Sequence, residues 1–173
     1  MALHVSLSAP LVLDTDQRDL FQENLGANLM GSNVKPFCVR VTGLDWVPNH
    51  ERTRFFLVLR LRKPDNDELN KLLSLCNKSA LRFGLPLLYQ SPERTPRRSS
   101  LSQQSDLLTA DRSDAFHISI AWSLSEPSEQ IKQGIEAIKL DQLCELDIYF
   151  SLLKVKIGNV VTDLPFNLGA GSR

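Results

Sequence analysis

The sequence predicts an α+β domain built from two antiparallel lobes, because three features recur along the chain. Segments of alternating apolar and polar residues indicate strands, apolar residues at helical spacing indicate helices, and their order falls into two similar sets. Each set begins with a His-x-Ser segment. With 173 residues, of which 42% are hydrophobic, the chain can bury one core, so we expect a single domain over residues 1–173.

The first set begins with a strand over residues 3–8, where apolar and polar residues alternate. A helix is expected to follow, because Asp14–Asp16 supplies capping residues and Gly31 ends an apolar helical pattern. The apolar residues of that pattern are Leu20, Phe21, Leu25 and Leu29.

Two strands are then predicted as a pair, over residues 37–42 and 55–61, joined through Leu44–Val47 and a turn at Pro48–His50. An amphipathic helix from Asp67 follows, and it ends at Gly84, where a left-handed cap is expected.

The segment 91–114 breaks the composition of the chain, because it is rich in serine and arginine and poor in apolar residues. It cannot bury enough apolar surface to fold, so we expect a disordered surface insertion.

The second set begins with a strand over residues 116–122. Ser125–Pro127 resembles a cap and first turn, which predicts a helix to about residue 139 with Ile131, Ile135 and Ile138 pointing inward. A strand over 146–150 and a hairpin turning at Gly158–Asn159 complete the set.

The charge and cysteine content limit the classes of function. Lys plus Arg and Asp plus Glu both number 20, so RNA binding requires a local site rather than the field of the whole protein. The three cysteines form no CxxC pair and are expected to be free buried thiols in a reducing compartment. We find neither a signal peptide nor a membrane-spanning run, which predicts a soluble intracellular protein, nuclear or cytosolic. We also expect a monomer.

Two of the three histidines lie in the same local pattern, His4-Val5-Ser6 and His117-Ile118-Ser119. On an extended strand, residues i and i+2 point to the same side, so each motif presents an imidazole beside a hydroxyl. One imidazole could take a proton from an attacking 2′-hydroxyl while the other gives one to the leaving 5′-oxygen. The serines could donate hydrogen bonds to the phosphate oxygens.

Other interpretations of these residues remain open. A lone strand histidine is usually structural, and a metal site would need more ligands at closer spacing. His50, the third histidine, is expected to be an exposed turn residue, and no nucleophile elbow is present. The symmetry of the motifs leaves open which histidine is the acid and which is the base.

The paired motifs resemble the two-histidine (2H) phosphoesterase superfamily. The chain is also similar, over nearly its whole length, to the family of poly(U)-specific exoribonucleases that trim the 3′ end of U6 small nuclear RNA. The similarity is carried by residues 3–8, 49–55, 88–90, 116–122 and 158–159. It implies a 2H phosphoesterase fold, with two pseudo-symmetric antiparallel β lobes flanked by helices around a central active-site groove.

The resemblance implies a 3′-to-5′ exonuclease that removes terminal uridines of U6 snRNA by metal-independent transesterification and needs no cofactor. The expected product ends in a 2′,3′-cyclic phosphate or a 3′ monophosphate, and the expected location is the nucleus, with cytoplasm or mitochondrion as alternatives. His4 and His117 match the catalytic pair, and Ser6 and Ser119 match the phosphate-binding hydroxyls. Tyr89 matches a tyrosine that stacks on the terminal base, unless it is an ordinary half-buried tyrosine.

This chain departs from the family pattern in two places. The family has a strand and a helix before the first motif, and here they appear to be missing. The insertion 91–114 separates Tyr89 from His117, and Arg94, Arg97 and Arg98 could contact RNA phosphate or belong to a solvated, phosphorylatable loop.

Three classes of function therefore compete. The first is the U6 exonuclease or a sibling 2H enzyme, a 2′,3′-cyclic phosphodiesterase or ligase that acts on other RNA ends. The second is a catalytically silent module that binds RNA or nucleotides. The third is a structural interaction protein, which would not bind uridine monophosphate.

Overall fold

A computed structural model describes residues 3–89 and 108–167. The chain divides into two compact units. The first unit comprises Met1–Ser6, Cys38–Lys63 and Ser113–Ile148, and the second comprises Leu7–Phe37, Pro64–Arg112 and Tyr149–Arg173. Together the elements form the mixed α+β architecture that the sequence predicts, with antiparallel strand pairs.

The first unit is built on a three-stranded antiparallel sheet of order β2-β3-β4. Its strands are β2 (Val41–Pro48), β3 (Phe55–Leu61) and β4 (His117–Ser123), preceded in the chain by a short strand β1 (Phe37–Val39). The central strand β3 is the most apolar of the three and contains the completely buried Val58. This burial on the middle strand is expected, because a central strand is covered more fully than an edge strand.

The connection predicted at Leu44–Val47 is wrong, because these residues lie inside β2 and pair with β3. The chain reverses later, at Asn49, whose side-chain Oδ1 accepts hydrogen bonds from the backbone N–H groups of Thr53 (2.8 Å) and Arg54 (2.9 Å). This side chain replaces the ladder bonds that the strands lose in the turn. The alternation of polarity over residues 44–47 is weak, which concealed the strand.

The helix predicted from Ser125 begins three residues later than expected. Helix α3 spans Glu129–Glu136 and is capped by Ser128, whose hydroxyl accepts from the N–H of Ile131 at 3.4 Å. The prediction that Ile131 and Ile138 point inward is wrong, since they are 51% and 49% exposed. Ile138 lies beyond the end of the helix, so the helical spacing assumed for it does not apply.

A short helix and a short strand follow in the chain. Helix α4 spans Asp141–Cys144, and both α3 and α4 contact β2 within the first unit. Strand β5 (Ile148–Phe150) pairs with β1 in a separate two-stranded sheet. Leu146, which was predicted to lie in this strand, precedes it and is 55% exposed.

The second unit contains two long helices and a hairpin. Helix α1 (Thr15–Met30) and helix α2 (Glu68–Arg82) pack together, and β6 (Leu152–Ile157) pairs with β7 (Val160–Pro165). Its core combines residues of both helices and of the hairpin: Phe21, Leu25, Cys76 and Val155. The helices match the prediction, although Leu20 of the predicted apolar pattern is 57% exposed.

Two glycines adopt the left-handed conformation where the sequence predicts it. Gly84 (φ +68°) follows helix α2, and Gly158 (φ +60°) opens the β6–β7 hairpin. A side chain at either position would be strained, so these residues fix where the helix ends and where the hairpin turns.

The strand predicted over residues 3–8 is reduced to one isolated antiparallel bridge, between Val5 and Ile118. Residues 91–107 of the predicted insertion lie outside the described residues. Ordered backbone is present before the predicted end of the insertion, because Asn70 accepts from the N–H of Arg112 (2.9 Å) and donates to Asp111 (2.9 Å).

The three cysteines differ in exposure. All three cysteines are free, as predicted, but only Cys76 is buried; Cys38 is exposed and Cys144 is intermediate. Within residues 3–89 and 108–167, no helix is long and apolar enough to cross a membrane.

Candidate active site

The bridge between Val5 and Ile118 fixes the register of the two His-x-Ser segments. In an antiparallel pair, the residue before one bridge partner lies opposite the residue after the other. This register predicts that His4 lies opposite Ser119 and that Ser6 lies opposite His117. The segments, which are 113 positions apart in the sequence, meet in the first unit as neighbouring backbones.

The same register predicts that all four side chains project from one side of the paired segments. Val5 and the buried Ile118 occupy the other side, and residues adjacent to them in sequence must point away from them. His4 and His117 are diagonal neighbours, a relationship that places Cβ atoms about 7–8 Å apart. One phosphodiester group can bridge that separation and contact both rings.

The same side of the sheet carries an arginine next to His117. In the β3–β4 ladder, Arg60 is the direct partner of His117. Arg60 also reaches Asp45 on β2, with Nη2 2.6 Å and Nε 3.1 Å from the same carboxylate oxygen, Oδ2. A row Asp45–Arg60–His117 therefore crosses the three strands, and Ser6 continues the row beyond β4.

The ring of His117 is held by the backbone just before it. Its Nδ1 lies 2.7 Å from the carbonyl oxygen of Ala115. Because a carbonyl only accepts, Nδ1 carries the proton and the neutral ring keeps its lone pair on Nε2. The short 3-10 helix Ser113–Ala115 presents this carbonyl.

The environment of His117 favours its neutral form. Burial is the largest cause that lowers the pKa of His117 below its usual value, and the positive charge of Arg60 lowers it further. The hydrogen bond to Ala115 acts in the opposite direction and is outweighed. A neutral imidazole with a free Nε2 lone pair is a proton acceptor, which is the form that a general base requires.

The other members of the site are more open to solvent. His4 and Ser6 are exposed, whereas His117 and Ser119 are half-buried. The two histidines therefore occupy different environments although their sequence motifs match. The symmetric motifs could not reveal this difference in exposure.

Tyr89 belongs to the second unit, so its role stays a prediction. It is half-buried and adopts a left-handed backbone conformation (φ +59°), directly after Leu88. Asn77 of α2 holds Leu88 by accepting from its N–H at 3.0 Å and donating to its carbonyl at 3.5 Å. His50 is an exposed turn residue, as predicted.

Arg60, Asp45 and Ala115 were not identified from the sequence. One signal was available, because Arg60 is the only charged residue in the apolar run Phe55–Leu61. A charge at that position needs a partner when it is partly buried, and Arg60 has a side chain that is only 30% exposed. Its partner could not be read from the sequence, because the register between β2 and β3 is not local.

A pocket of about 330 Å³ lies beside Arg60 in the first unit. Its lining residues are Thr42, Arg60, Leu61, Ser113, Asp114 and Phe116. None of the His-x-Ser side chains lines it, so this pocket does not include the paired motifs. Within the described part of the chain, no group of three or more His, Cys, Asp or Glu residues could hold a metal ion.

The fold and the paired motifs define an α+β protein with a two-histidine face on an antiparallel strand pair. Its fold is that of Usb1 from Kluyveromyces marxianus, with a TM-score of 0.64 at 20% identity, over 95% of this chain and 76% of that one. The structure of the same protein with uridine monophosphate gives a TM-score of 0.63 at 20% identity, over 95% and 75% of the two chains.

The chain belongs to the HVSL family, whose description is "Uncharacterised conserved protein" and whose model matches residues 1–165. Residues 4–7 read His-Val-Ser-Leu, the four letters of that family name. The chain is also 34% identical over 186 aligned residues to U6 snRNA phosphodiesterase 1 of Neurospora crassa. The match covers 92% of this chain and 46% of that protein, so the chain spans about half the length of this relative.

Proposed function

We propose that this chain is a 3′-to-5′ RNA exonuclease that removes terminal uridines from U6 snRNA by transesterification. The observation that carries the proposal is the Val5–Ile118 bridge, because its register puts two imidazoles and two hydroxyls on one face. A histidine with a purely structural role would not need a second imidazole on the same face. Two matched motifs that meet on one face are what a two-sided proton transfer requires.

The comparisons support the choice of substrate. The relative from Neurospora crassa is named as a phosphodiesterase of U6 snRNA, and the fold is shared with a protein whose structure contains uridine monophosphate. We infer from these that the RNA partner is a single-stranded, uridine-rich 3′ end. We also propose, independently of these comparisons, that the chain acts in the nucleus as a monomer.

We also infer that the fold is that of a 2H phosphoesterase with two pseudo-symmetric lobes. A local twofold axis through an antiparallel bridge relates the residues on each side of it. The axis through the Val5–Ile118 bridge relates His4 to His117 and Ser6 to Ser119. The two motifs are therefore matched in space as well as in sequence.

In the first chemical step, the 2′-hydroxyl of the penultimate nucleotide attacks the phosphorus that links it to the terminal uridine. His117 accepts the 2′ proton on Nε2, since its Nδ1 is occupied by the bond to Ala115. The bond from phosphorus to the 5′-oxygen breaks, and protonated His4 gives its proton to that oxygen. The shortened RNA then ends in a 2′,3′-cyclic phosphate, which water can open to a monophosphate.

Ser6 and Ser119 stabilise the charge that develops on the phosphate. Each serine hydroxyl lies opposite the histidine of the other motif, so the four groups surround one position on the face. Hydroxyl donors aimed at the non-bridging oxygens lower the energy of the transition state. Tyr89 stacks on the terminal base in this proposal, an interaction worth about 1–3 kcal/mol.

The proposal is tested by incubating the chain with uridine-tailed RNA in the presence of a chelator. The 3′ ends of the RNA are then identified by mass spectrometry. We expect stepwise loss of uridine and a cyclic phosphate or monophosphate end. Because imidazoles supply both proton transfers, the chelator should not reduce the rate. His4→Ala and His117→Ala should each lower the rate by about 10²- to 10⁴-fold, whereas His50→Ala should leave it unchanged.

Each other outcome would indicate a different function for this chain. Equal rates on uridine and adenosine tails would exclude the proposed substrate and favour a 2H enzyme for other RNA ends. Binding of uridine monophosphate without turnover would indicate a silent binding module. Absence of both turnover and binding would leave an interaction protein.

A further inference from the structure

Arg60 makes two sets of contacts that run in opposite directions across the first unit. On one side, its Nε and Nη2 donate to the Oδ2 atom of Asp45 at 3.1 and 2.6 Å. On the other side, its Nη1 donates to the backbone carbonyl of Asp114 at 2.9 Å. Asp45 is itself held, because its Oδ1 accepts from the N–H of Trp46 at 2.7 Å.

The carbonyl that Arg60 holds is next to the one that orients His117. Asp114 precedes Ala115, and the carbonyl of Ala115 accepts from Nδ1 of His117 at 2.7 Å. Both carbonyls belong to the 3-10 helix Ser113–Ala115. A short 3-10 segment is weakly held by its own hydrogen bonds, so an external anchor can decide its position.

We propose that Arg60 is a positioning residue: held by Asp45, it clamps the Ser113–Ala115 turn so that the Ala115 carbonyl fixes the ring and the tautomer of His117. The guanidinium suits this role because its planar fork can address a carboxylate and a carbonyl at the same time. The effect of Arg60 on catalysis rests on the proposed function, whereas its effect on the ring and the tautomer of His117 does not.

The positive charge of Arg60 also favours the neutral form of His117, because it lowers the pKa of that ring. Among the described residues, the charged and titratable groups on the elements around His117 include Arg60 on β3, His4 on the paired segment, Asp114 in the turn, and Asp45 on β2 behind Arg60. Of these, Arg60 contributes to lowering the pKa of His117. Loss of Arg60 should therefore raise the pKa of His117 as well as loosen its ring.

Nuclear magnetic resonance of the imidazole nitrogens tests the clamp without any RNA. In the unmodified chain, we expect His117 to be almost entirely the Nδ1–H tautomer when neutral. Arg60→Met should produce a mixture with the Nε2–H tautomer and a higher pKa for His117. Arg62→Met is the matched control, because it removes the same charge just beyond the end of β3, whereas the bond to the Asp114 carbonyl is made by Arg60, and it should leave the tautomer unchanged.

Two conservative variants keep the test decisive if Arg60→Met does not fold. Arg60→Lys keeps the charge but loses the fork, so the tautomers should mix while the pKa of His117 stays close to that of the unmodified chain. Asp45→Asn weakens the other end of the clamp and should mix the tautomers less than Arg60→Met. A single unchanged tautomer in all the folded variants would overturn the inference.

Activity then separates this inference from the proposed function. If the chain cleaves uridine tails, Arg60→Met should lower kcat/KM by about 10- to 100-fold through misplacement of the base and move the acidic limb of the pH profile upward. If the chain cleaves nothing, the proposed function fails while the tautomer result still stands. Unchanged kcat/KM together with mixed tautomers would overturn the catalytic part of the clamp alone.

Discussion

At His117, burial and the Arg60 charge favour the neutral imidazole, and the bond from Nδ1 to the Ala115 carbonyl leaves the ring lone pair on Nε2. Burial and Arg60 lower its pKa, so fewer protons bind to it in the folded protein than to a free imidazole. If His117 is the general base, kcat/KM should fall on the acidic side only when the pH drops through this lowered pKa. The acidic limb should therefore lie below pH 6.5, the ordinary value for histidine.

That prediction is checked by measuring kcat/KM on a uridine-tailed RNA across the acidic range. Arg62→Met should show the same limb, because Arg62 is not among the causes of the shift. An acidic limb above the ordinary histidine value would assign the base to a different group.

Cys76 is a second residue whose chemistry is set by burial. It lies in the core of the second unit, and desolvation raises the pKa of its thiol to about 12. At pH 8 almost no thiolate is present, so a thiol reagent should leave Cys76 unmodified in the native chain while it labels the exposed Cys38. Mass mapping of the labelled chain checks this.

Two controls sharpen the cysteine experiment. Cys38→Ala should abolish the fast phase of labelling, and urea should expose all three thiols. Labelling of native Cys76 at the rate of Cys38 would show that the core of the second unit opens readily.

At the residue scale, the sequence predicts those features that depend only on residues close together in the chain. The His-x-Ser spacing predicts which side chains share a face, because that follows from the strand period of two. The contacts of Arg60 and Ala115 could not be predicted, since they depend on the β3–β4 register and on a 3-10 turn that begins inside a segment expected to be disordered. The different exposure of His4 and His117 could not be predicted either, because it depends on how distant segments pack around each ring.

The Asn77 side chain of helix α2 binds the segment that leads to Tyr89. Asn77 is 4% exposed, and its Oδ1 accepts from the N–H of Leu88. Asn77→Ala should leave that N–H without its acceptor and lower the free energy of unfolding by about 1–3 kcal/mol. Urea denaturation with an unchanged m-value would measure this loss.

Lys78→Ala is the matched control for Asn77→Ala. Lys78 is the exposed neighbour on the same helix, and removal of its side chain should change the free energy of unfolding by less than about 0.5 kcal/mol. If the two variants were equally stable, the hydrogen bonds of Asn77 would not hold the Leu88 segment.

Elements with a strong local pattern were predicted well, and elements set by distant pairing were not. Helices α1 and α2 and the hairpin at Gly158 carry periodicity and turn residues in their own sequences. The segment 44–47 was misassigned because its strand character comes from pairing with β3. The start of α3 was misplaced because Ser125 and Ser128 are both acceptable caps, and only hydrogen bonding selects Ser128.

At the scale of the molecule, the α+β class could be predicted from the order of elements, and the likeness to Usb1 agrees with it. The division into two compact units could not, because each unit gathers segments that are far apart in sequence. The strand pair that carries both motifs lies entirely within the first unit, so its geometry is a property of that unit.

The balance of charge leads to a prediction about how RNA binding depends on salt. Twenty basic and twenty acidic residues cancel, so the field of the whole protein does not attract a polyanion. If the site contacts one or two phosphates, the logarithm of the binding constant should fall with the logarithm of salt concentration with a slope of about −0.7 to −1.4. Fluorescence anisotropy of a labelled oligouridine on His117→Ala, which we expect to bind without cleaving, measures this slope.

Varying the length of the oligouridine supplies the control, because contacts limited to the 3′ end do not increase in number with RNA length. A longer oligouridine should therefore give the same slope as a short one. A slope of about −3 or steeper that grows with length would mean that many phosphates are neutralised along an extended basic surface. The terminal phosphodiester would then supply only part of the binding energy, and the chain would hold the body of the RNA as well as its end.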